Sequence, residues 1–446
     1  MTPRRRVVVV GGGISGLAAA WELSAHDHLD VEVHEAADRL GGKLATSTLA
    51  GLAVEEGADM FLTRTPDAVR LCAEVGIGAD RLTSPRPAPA SVWVDGRLHR
   101  LPGGLVLGFP ARFDELASSD LLSPAGVERA RREPEVADGP VVGDVAIGPL
   151  VTARYGAEVT ERIVGPLLGG IAAGDIDEMS LDAVAPQVAE VAHTHRSLVE
   201  GLAARLAEAP AGPPFVAPVG GMGHLVDTLA AALAERGVAL RTGMRADALP
   251  EADGVVVTTP ADVAARLVAP RSAAAAELLA AVEFASVAFV GVALRRADVP
   301  VALDGSGFLA PRDHGLTVTA VSWASSKWAH LDDPDLAVLR CSVGHRHDDR
   351  GERLGDAELL AAVRADLRTT MGVVAEPVAT RITRYPRAFP QYAVGHLERT
   401  DALEAALAAY APDVVVCGMA HRGVGIPACV REARAAARTL AAGLSA

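Results

Sequence analysis

Val7 to Val10 form a β-branched run with no polar interruption, the pattern of a strand buried on both faces. Ile14, Leu17 and Trp21 then recur at helical spacing, and Val31, Glu32, Val33 and His34 read as a second strand. Val92 to His99 alternates around Asp95-Gly96, the signature of a hairpin with a tight turn. Residues 111–206 carry helical patterns, broken at Pro134 and Pro166. Phe215 to Gly223 is a Gly/Pro turn leading into an amphipathic helix marked by Leu225, Leu229, Ala232 and Leu233. Val238 to Leu240 and Val255 to Val257 read as buried strands, and residues 284–345 as β-rich. Val414 to Cys417 is a further strand. The helix that follows runs to about residue 442, with Pro427 suited to its first turn. Strands alternating with helices predict an α/β protein.

The chemistry sits first in the turn between the opening strand and helix. Gly11-Gly12-Gly13-Ile14-Ser15-Gly16 follows the strand at once, and the second strand ends at Glu35. This order of strand, glycine turn, helix, strand and acid is that of a dinucleotide site. Gly11 permits the tight turn, Gly13 lets backbone approach a pyrophosphate, and Gly16 lets helix and strand pack closely. The helix N-terminus faces the phosphates. Glu35 can accept both ribose hydroxyls. Arg39-Leu40-Gly41-Gly42-Lys43 then offers two glycines flanked by cations, suited to a second backbone approach to the same pyrophosphate. Glu56-Gly57-Ala58-Asp59-Met60-Phe61 lies a little further on.

Composition removes several alternatives. The 446 residues include 42 basic and 56 acidic ones, a net charge of −14, which argues against a nucleic-acid partner and against binding anionic membranes by charge alone. Cys72, Cys341, Cys417 and Cys429 contain no CxxC and fit a reducing, cytoplasmic compartment. The apolar run after Arg4 to Arg6 is too short for a signal peptide, and the apolar segments 163–174 and 284–294 are too short to span a bilayer. At most, peripheral membrane contact is expected, and a homo-oligomer is compatible with the sequence. His345 to Asp349 reads as a charged turn, His193-Thr194-His195 lacks a third ligand, and no metal site is expected.

Later segments give these motifs a family. Pro166-Leu167-Leu168-Gly169-Gly170-Ile171-Ala172-Ala173-Gly174, Pro218 to Val226, Ser325-Ser326-Lys327-Trp328, Arg384 to Tyr392 and Gly423-Val424-Gly425-Ile426-Pro427 occur in that order. With Arg39 to Lys43 and Gly57 to Phe61, they make the chain resemble the FAD-containing amine oxidase superfamily and, within it, the bacterial porphyrinogen oxidase family, from about residue 5 to about residue 440.

The resemblance implies a discontinuous Rossmann-like FAD-binding domain (residues 1–80, 212–280 and 385–446), a β-rich substrate-binding domain (81–110 and 281–384) and a helical domain (111–211). The expected FAD-binding residues are Gly11, Gly13, Ile14, Ser15, Gly16, Glu35, Arg39, Gly41, Gly42, Lys43, Gly57, Ala58, Asp59, Met60, Ala246, Gly418, Val424, Gly425 and Ile426. Leu167, Gly170 and Leu309 are expected to meet the substrate macrocycle. A family arginine that holds a propionate appears here as Ala90, which leaves Arg64, Arg86 and Arg97 as candidates. The implied activity is oxygen-dependent, six-electron oxidation of coproporphyrinogen III. The alternatives are protoporphyrinogen IX as substrate, or a related flavin desaturase. The cofactor carries this chemistry, so no catalytic side chain is expected. The lysine of the amine oxidases is expected near Val287-Ala288-Phe289, and none stands there. Lys327 is expected to be structural or at the pocket rim.

Overall fold

The computed structural model describes residues 4–208, 212–312 and 314–445. The expected domain boundary at 211–212 lies partly outside them, as do residues 1–3 and 446 of the expected terminal segments.

The opening pattern forms β1 (Arg5–Val10), α1 (Ile14–Leu23) and β2 (Leu29–His34). Val7, Val8 and Val9 are fully buried, because β1 is the middle strand of five. The order across this sheet is Ala239–Arg241, β2, β1, Gly254–Val257 and Val414–Val416, and every pairing is parallel. Leu17, Leu225, Leu229, Val430 and Leu440 cover one face, and Leu267, Leu403 and Leu407 the other. Helices on both faces of a parallel sheet are the doubly wound arrangement, in which ligands sit beyond the carboxyl ends of the strands.

A second sheet of seven strands runs Ala379–Pro390, Phe284–Arg295, Leu336–Val343, Val318–Trp323, Gly307–Leu309, Ala90–Val94 and Arg97–Arg100. Its pairings are antiparallel except that between Gly307–Leu309 and Ala90–Val94. The hairpin turns where expected, with Asp95 and Gly96 both at positive φ (52° and 76°), as a type I′ turn requires. Val290, Val292, Leu339 and Cys341 pack against Leu359, Val363 and Leu367 of the helix Asp356–Met371. Their alternates, Phe289, Gly291 and Arg340, face the other way, toward the cavities described below.

Residues 113–207 build the helical layer around Ile147, Tyr155, Ile163 and Leu202. Pro134 begins a new helical turn, as expected. Pro166 does not break the chain's helical course. It stands in the first turn of helix Gly165–Ala172, directly after a π-helical segment, Thr160–Val164. The π-helical wind just before Pro166 shifts the carbonyls that its ring and missing N–H would disturb, so the course continues through it. Among the described residues no helix is long and apolar enough to cross a membrane.

Candidate active site

A cavity of about 890 Å³ runs from the carboxyl ends of β1 and β2 to the open face of the seven-stranded sheet. The glycine turn forms one end. Gly11 has φ +111° and its N–H donates to His34 O. A Cβ on Gly16 would stand 1.8 Å from Gly11 O, so only glycine lets α1 start so close to the turn. A Cβ on Gly13 would meet nothing within 4 Å. That open space lies at the N-cap of a ten-residue helix, and the cap makes no side-chain hydrogen bond. The first N–H groups of α1 are therefore left for an outside acceptor.

The second glycine turn abuts the first. Gly41 N–H donates to Gly12 O at 2.8 Å, and a Cβ on Gly42 would come within 3.3 Å of Gly13 Cα. Glu35 accepts from Gly12 N–H (2.6 Å) and from Ala37 N–H (2.8 Å), which fixes its carboxylate on the cavity wall. Met244 N–H donates to Glu35 O and brings the loop carrying Ala246 onto the same wall.

The two cations of the second turn part company. Arg39 was expected at the pyrophosphate, but its guanidinium donates to the carbonyls of Leu40, Gly42 and Leu44 and does not line the cavity. A planar five-donor group at the base of a glycine turn is well suited to satisfying the turn's own carbonyls. Lys43 does line the cavity. Its Nζ donates to Ala388 O (2.6 Å) and contacts Met419 Sδ (2.8 Å), and burial lowers its ammonium to about 8.

Gly57 and Ala58 are on the wall, whereas Asp59 and Met60 are not. Asp59 turns away to accept from Lys327 Nζ at 2.7 Å, and the charges of Arg340 and Lys327 hold its carboxyl down at about 2 against burial, which raises it. Lys327 is accordingly a buried ion-pair partner, behind the wall.

At the C-terminal end, Met419, Ala420, Val424, Ile426 and Cys429 face the cavity, while Gly418 (φ +130°) shapes the turn behind them and Gly425 does not reach the wall. The sequence reading passed over the residue that closes this loop. Tyr392 Oη donates to Met419 O (2.5 Å) and accepts from Gly423 N–H (2.9 Å), while His396 stacks on its ring at 4.0 Å. Arg340, Phe289 and Tyr385 were also missed as wall residues. Arg340 sits 4.6 Å over the Phe289 ring and donates to Gly57 O at 2.6 Å. The strand Phe284–Arg295 is almost wholly apolar and bulges between Ala285 and Val287, so its sequence pattern gave no signal for Phe289.

Leu309 lies against Gly170, with 3.3 Å between its Cδ2 and the position of a Cβ there, and Leu167 is one helical turn before Gly170. The three arginines do not join them. Arg64 reaches Gln187, Arg86 pairs with Asp332 (2.8 Å) and Arg97 with Asp120 (2.6 Å), and none lines the cavity. Arg312, three residues past Leu309, lies beside this helix, although it, Leu167, Gly170 and Leu309 are likewise not on the cavity wall. Its Nη2 is 3.8 Å from where a Gly169 Cβ would stand, and Nη1 pairs with Asp175.

Among the described residues of the wall, five cations (Lys43, Arg245, Arg266, Arg340, Arg387) face two carboxylates (Glu35, Asp247), although the protein is strongly acidic. A long cavity, local positive charge and an open backbone cradle at Gly13 fit an anionic dinucleotide such as FAD.

Fold and site thus define a dinucleotide-binding protein of the doubly wound class, and similarity to known proteins makes it a flavin-dependent oxidoreductase. Residues 14–441 match the family of flavin-containing amine oxidoreductases, and the chain belongs to that family. It is 35% identical over 456 residues to the coproporphyrinogen III oxidase of Mycobacterium tuberculosis, covering 97% of this chain and 96% of that one. It is 31% identical over 459 residues to the coproporphyrinogen III oxidase of Bacillus subtilis, covering 97% of each. A solved structure from Exiguobacterium sp. 255-15 superposes with a TM-score of 0.88 at 30% identity, over 99% of both chains.

Proposed function

We propose that the chain is an FAD-dependent, oxygen-using coproporphyrinogen III oxidase. The observation that carries this reading is likeness along nearly the whole length to relatives of that name. The extent of the cavity, from the glycine turn to the open face of the β-rich sheet, supports it.

In this reading Gly13, Ile14 and Ser15 present backbone N–H groups to the pyrophosphate, Glu35 accepts from the adenosine ribose, and Ala246 packs at the adenine end. Bound FAD supplies the acceptor for hydride from the porphyrinogen. Lys43, the Tyr392-clamped loop and the N-terminus of helix Ile426–Ser445 place fixed positive potential along the wall, which favours an electron-rich cofactor. Leu167, Leu309 and Gly170 form the face for the macrocycle.

Coproporphyrinogen III carries four propionates, and a protein of net charge −14 repels it at long range. A local cation must offset that repulsion. Arg312 takes this role in place of Arg64, Arg86 and Arg97, because it is the one beside Gly169 and Leu309.

Offering coproporphyrinogen III and protoporphyrinogen IX separately, with porphyrin fluorescence as the readout, tests the assignment. Turnover of coproporphyrinogen III at a higher kcat/KM is expected. Turnover of neither would remove the function.

A further inference from the structure

A second pocket, of about 50 Å³, lies against the same face of the seven-stranded sheet. Its floor has an identifiable cause. One cross-strand row runs Arg381, Gly291, Arg340, Ser322 over four adjacent strands, and the pocket opens where Gly291 has no side chain. Glycine in the middle of a long strand weakens it, and often marks a place where something approaches closely. The backbone does not demand glycine here, since Gly291 is not at positive φ. A Cβ would press on Leu49 Cδ2 at 3.2 Å, with the Arg381 carbonyl and Cβ next at 3.8 and 3.9 Å. Glycine at this position leaves room for the Leu49 side chain and for the pocket beside it, which a larger residue would take up.

The exposed surface of the walls is largely apolar, from Leu49, Val54, Ala217, Trp328 and Val338 among others, with Glu55, Asp59, Ser322 and Arg340 also on the lining. A pocket of this size and lining holds no nucleotide or macrocycle, and apolar walls do not hold water well. A small apolar gas fits both constraints. Phe289 and Arg340 belong to the walls of this pocket and of the large cavity alike, so the two spaces are separated by one side-chain layer. On the opposite side the Arg381–Glu56 ion pair (2.9 Å) stands toward solvent.

The charge at the dividing layer suits electron transfer to a neutral gas. Lys327 and Asp59 form a pair at 2.7 Å, and burial raises the Glu55 carboxyl to about 7. Arg340, whose charge also acts on Asp59, is the cation set in the dividing layer itself, pinned by Gly57 O and held over the Phe289 ring. A cation preorganised where negative charge develops lowers the barrier to that charge.

We infer that this pocket is the dioxygen site of the enzyme, with Gly291 keeping it open and Arg340 facing the developing charge. The inference rests on the reading that dioxygen is the electron acceptor. Dioxygen takes two electrons and one proton from the reduced cofactor and a second proton from solvent, and leaves as hydrogen peroxide while the cofactor returns to its oxidised form.

Two measurements test it on the FAD-loaded protein. Crystals pressurised with xenon should show the gas above Gly291 in the wild type and not in Gly291→Val. The second-order rate constant for reoxidation of the photoreduced enzyme by dioxygen should fall at least fivefold in Gly291→Val, with FAD content equal to wild type. Ser322→Leu, from the same row, fills the pocket independently and should act the same way even if Gly291→Val folds poorly. Xenon absent from the wild-type pocket, or reoxidation unchanged in the filled variants, would overturn the site. A reduced wild type that dioxygen does not reoxidise would instead refute dioxygen as acceptor, a distinguishable failure.

Discussion

Gly13→Ala and Gly16→Ala change the same residue type three positions apart and should fail in opposite ways. At Gly16 the new Cβ would lie 1.8 Å from Gly11 O and 2.9 Å from Thr258 Oγ1. The first contact is backbone, so turn and helix must separate by more than an ångström. Overpacking of this kind costs about 3 kcal/mol, which lowers the unfolding temperature of the apoprotein by roughly 3 °C. At Gly13 the backbone is extended (φ −72°, ψ 178°), and the Cβ meets nothing within 4 Å. Alanine there costs the apoprotein nothing and stabilises it by ~0.5 kcal/mol through the unfolded chain. The same methyl group, however, occupies the space read here as that of the pyrophosphate. Loss of close backbone contact should weaken FAD at least a hundredfold, about 2.8 kcal/mol at 1.4 per factor of ten. Thermal unfolding of both apoproteins and fluorescence titration with FAD measure the two effects separately. The reasoning is refuted if apo Gly13→Ala is destabilised as much as Gly16→Ala, or if it binds FAD with wild-type affinity.

Glu35→Gln should weaken FAD about tenfold or more, since charge-assisted hydrogen bonds are worth roughly 1.5–3 kcal/mol, while turnover at saturating FAD stays near wild type. An unchanged dissociation constant would take Glu35 out of the site. Glu55 accepts from Met222 N–H and is raised to about 7, chiefly by burial. A carboxyl raised on folding contributes stability fully below its unfolded value near 4.5 and loses it as pH rises through about 7. Glu55→Gln should therefore unfold at higher temperature than wild type above pH 7 and lose that advantage below pH 4.5; parallel curves across this range would contradict the shift. Arg312→Ala should raise KM for coproporphyrinogen III about tenfold or more, and less for protoporphyrinogen IX, which has two carboxylates rather than four. Equal KM values for variant and wild type would exclude Arg312 from the substrate site.

The legible parts of the fold were those set by local pattern. Val7 to Val10 could be placed at a sheet centre because four consecutive β-branched residues leave no face for solvent, and Asp95-Gly96 fixed a turn because both residues tolerate positive φ. The positions of the glycine turn and Glu35 at one end of the cavity were legible for the same reason: both follow from backbone geometry within one βαβ unit. Long-range geometry was not. Arg39 has the same motif spacing whether it meets phosphate or its own loop carbonyls, and only the fold shows it capping the loop. Asp59 adjoins Ala58 in sequence, yet successive residues can point to opposite sides, and Lys327, 268 positions away, draws it off the wall. Arg312 could not be preferred over Arg64, Arg86 and Arg97 until the loop after Leu309 was seen beside helix Gly165–Ala172. Tyr392 closes one of the motifs, but its role was not readable, because one hydroxyl bridging Met419 O and Gly423 N–H leaves no spacing to recognise.

The most direct measurement mixes coproporphyrinogen III and protoporphyrinogen IX in air with the FAD-loaded protein, separates the porphyrins formed, and counts peroxide. Coproporphyrin III should form in large excess, with three hydrogen peroxides per porphyrin, as six electrons passed in pairs to dioxygen require. Formation of protoporphyrin IX in excess, or porphyrin without peroxide, would contradict the assignment.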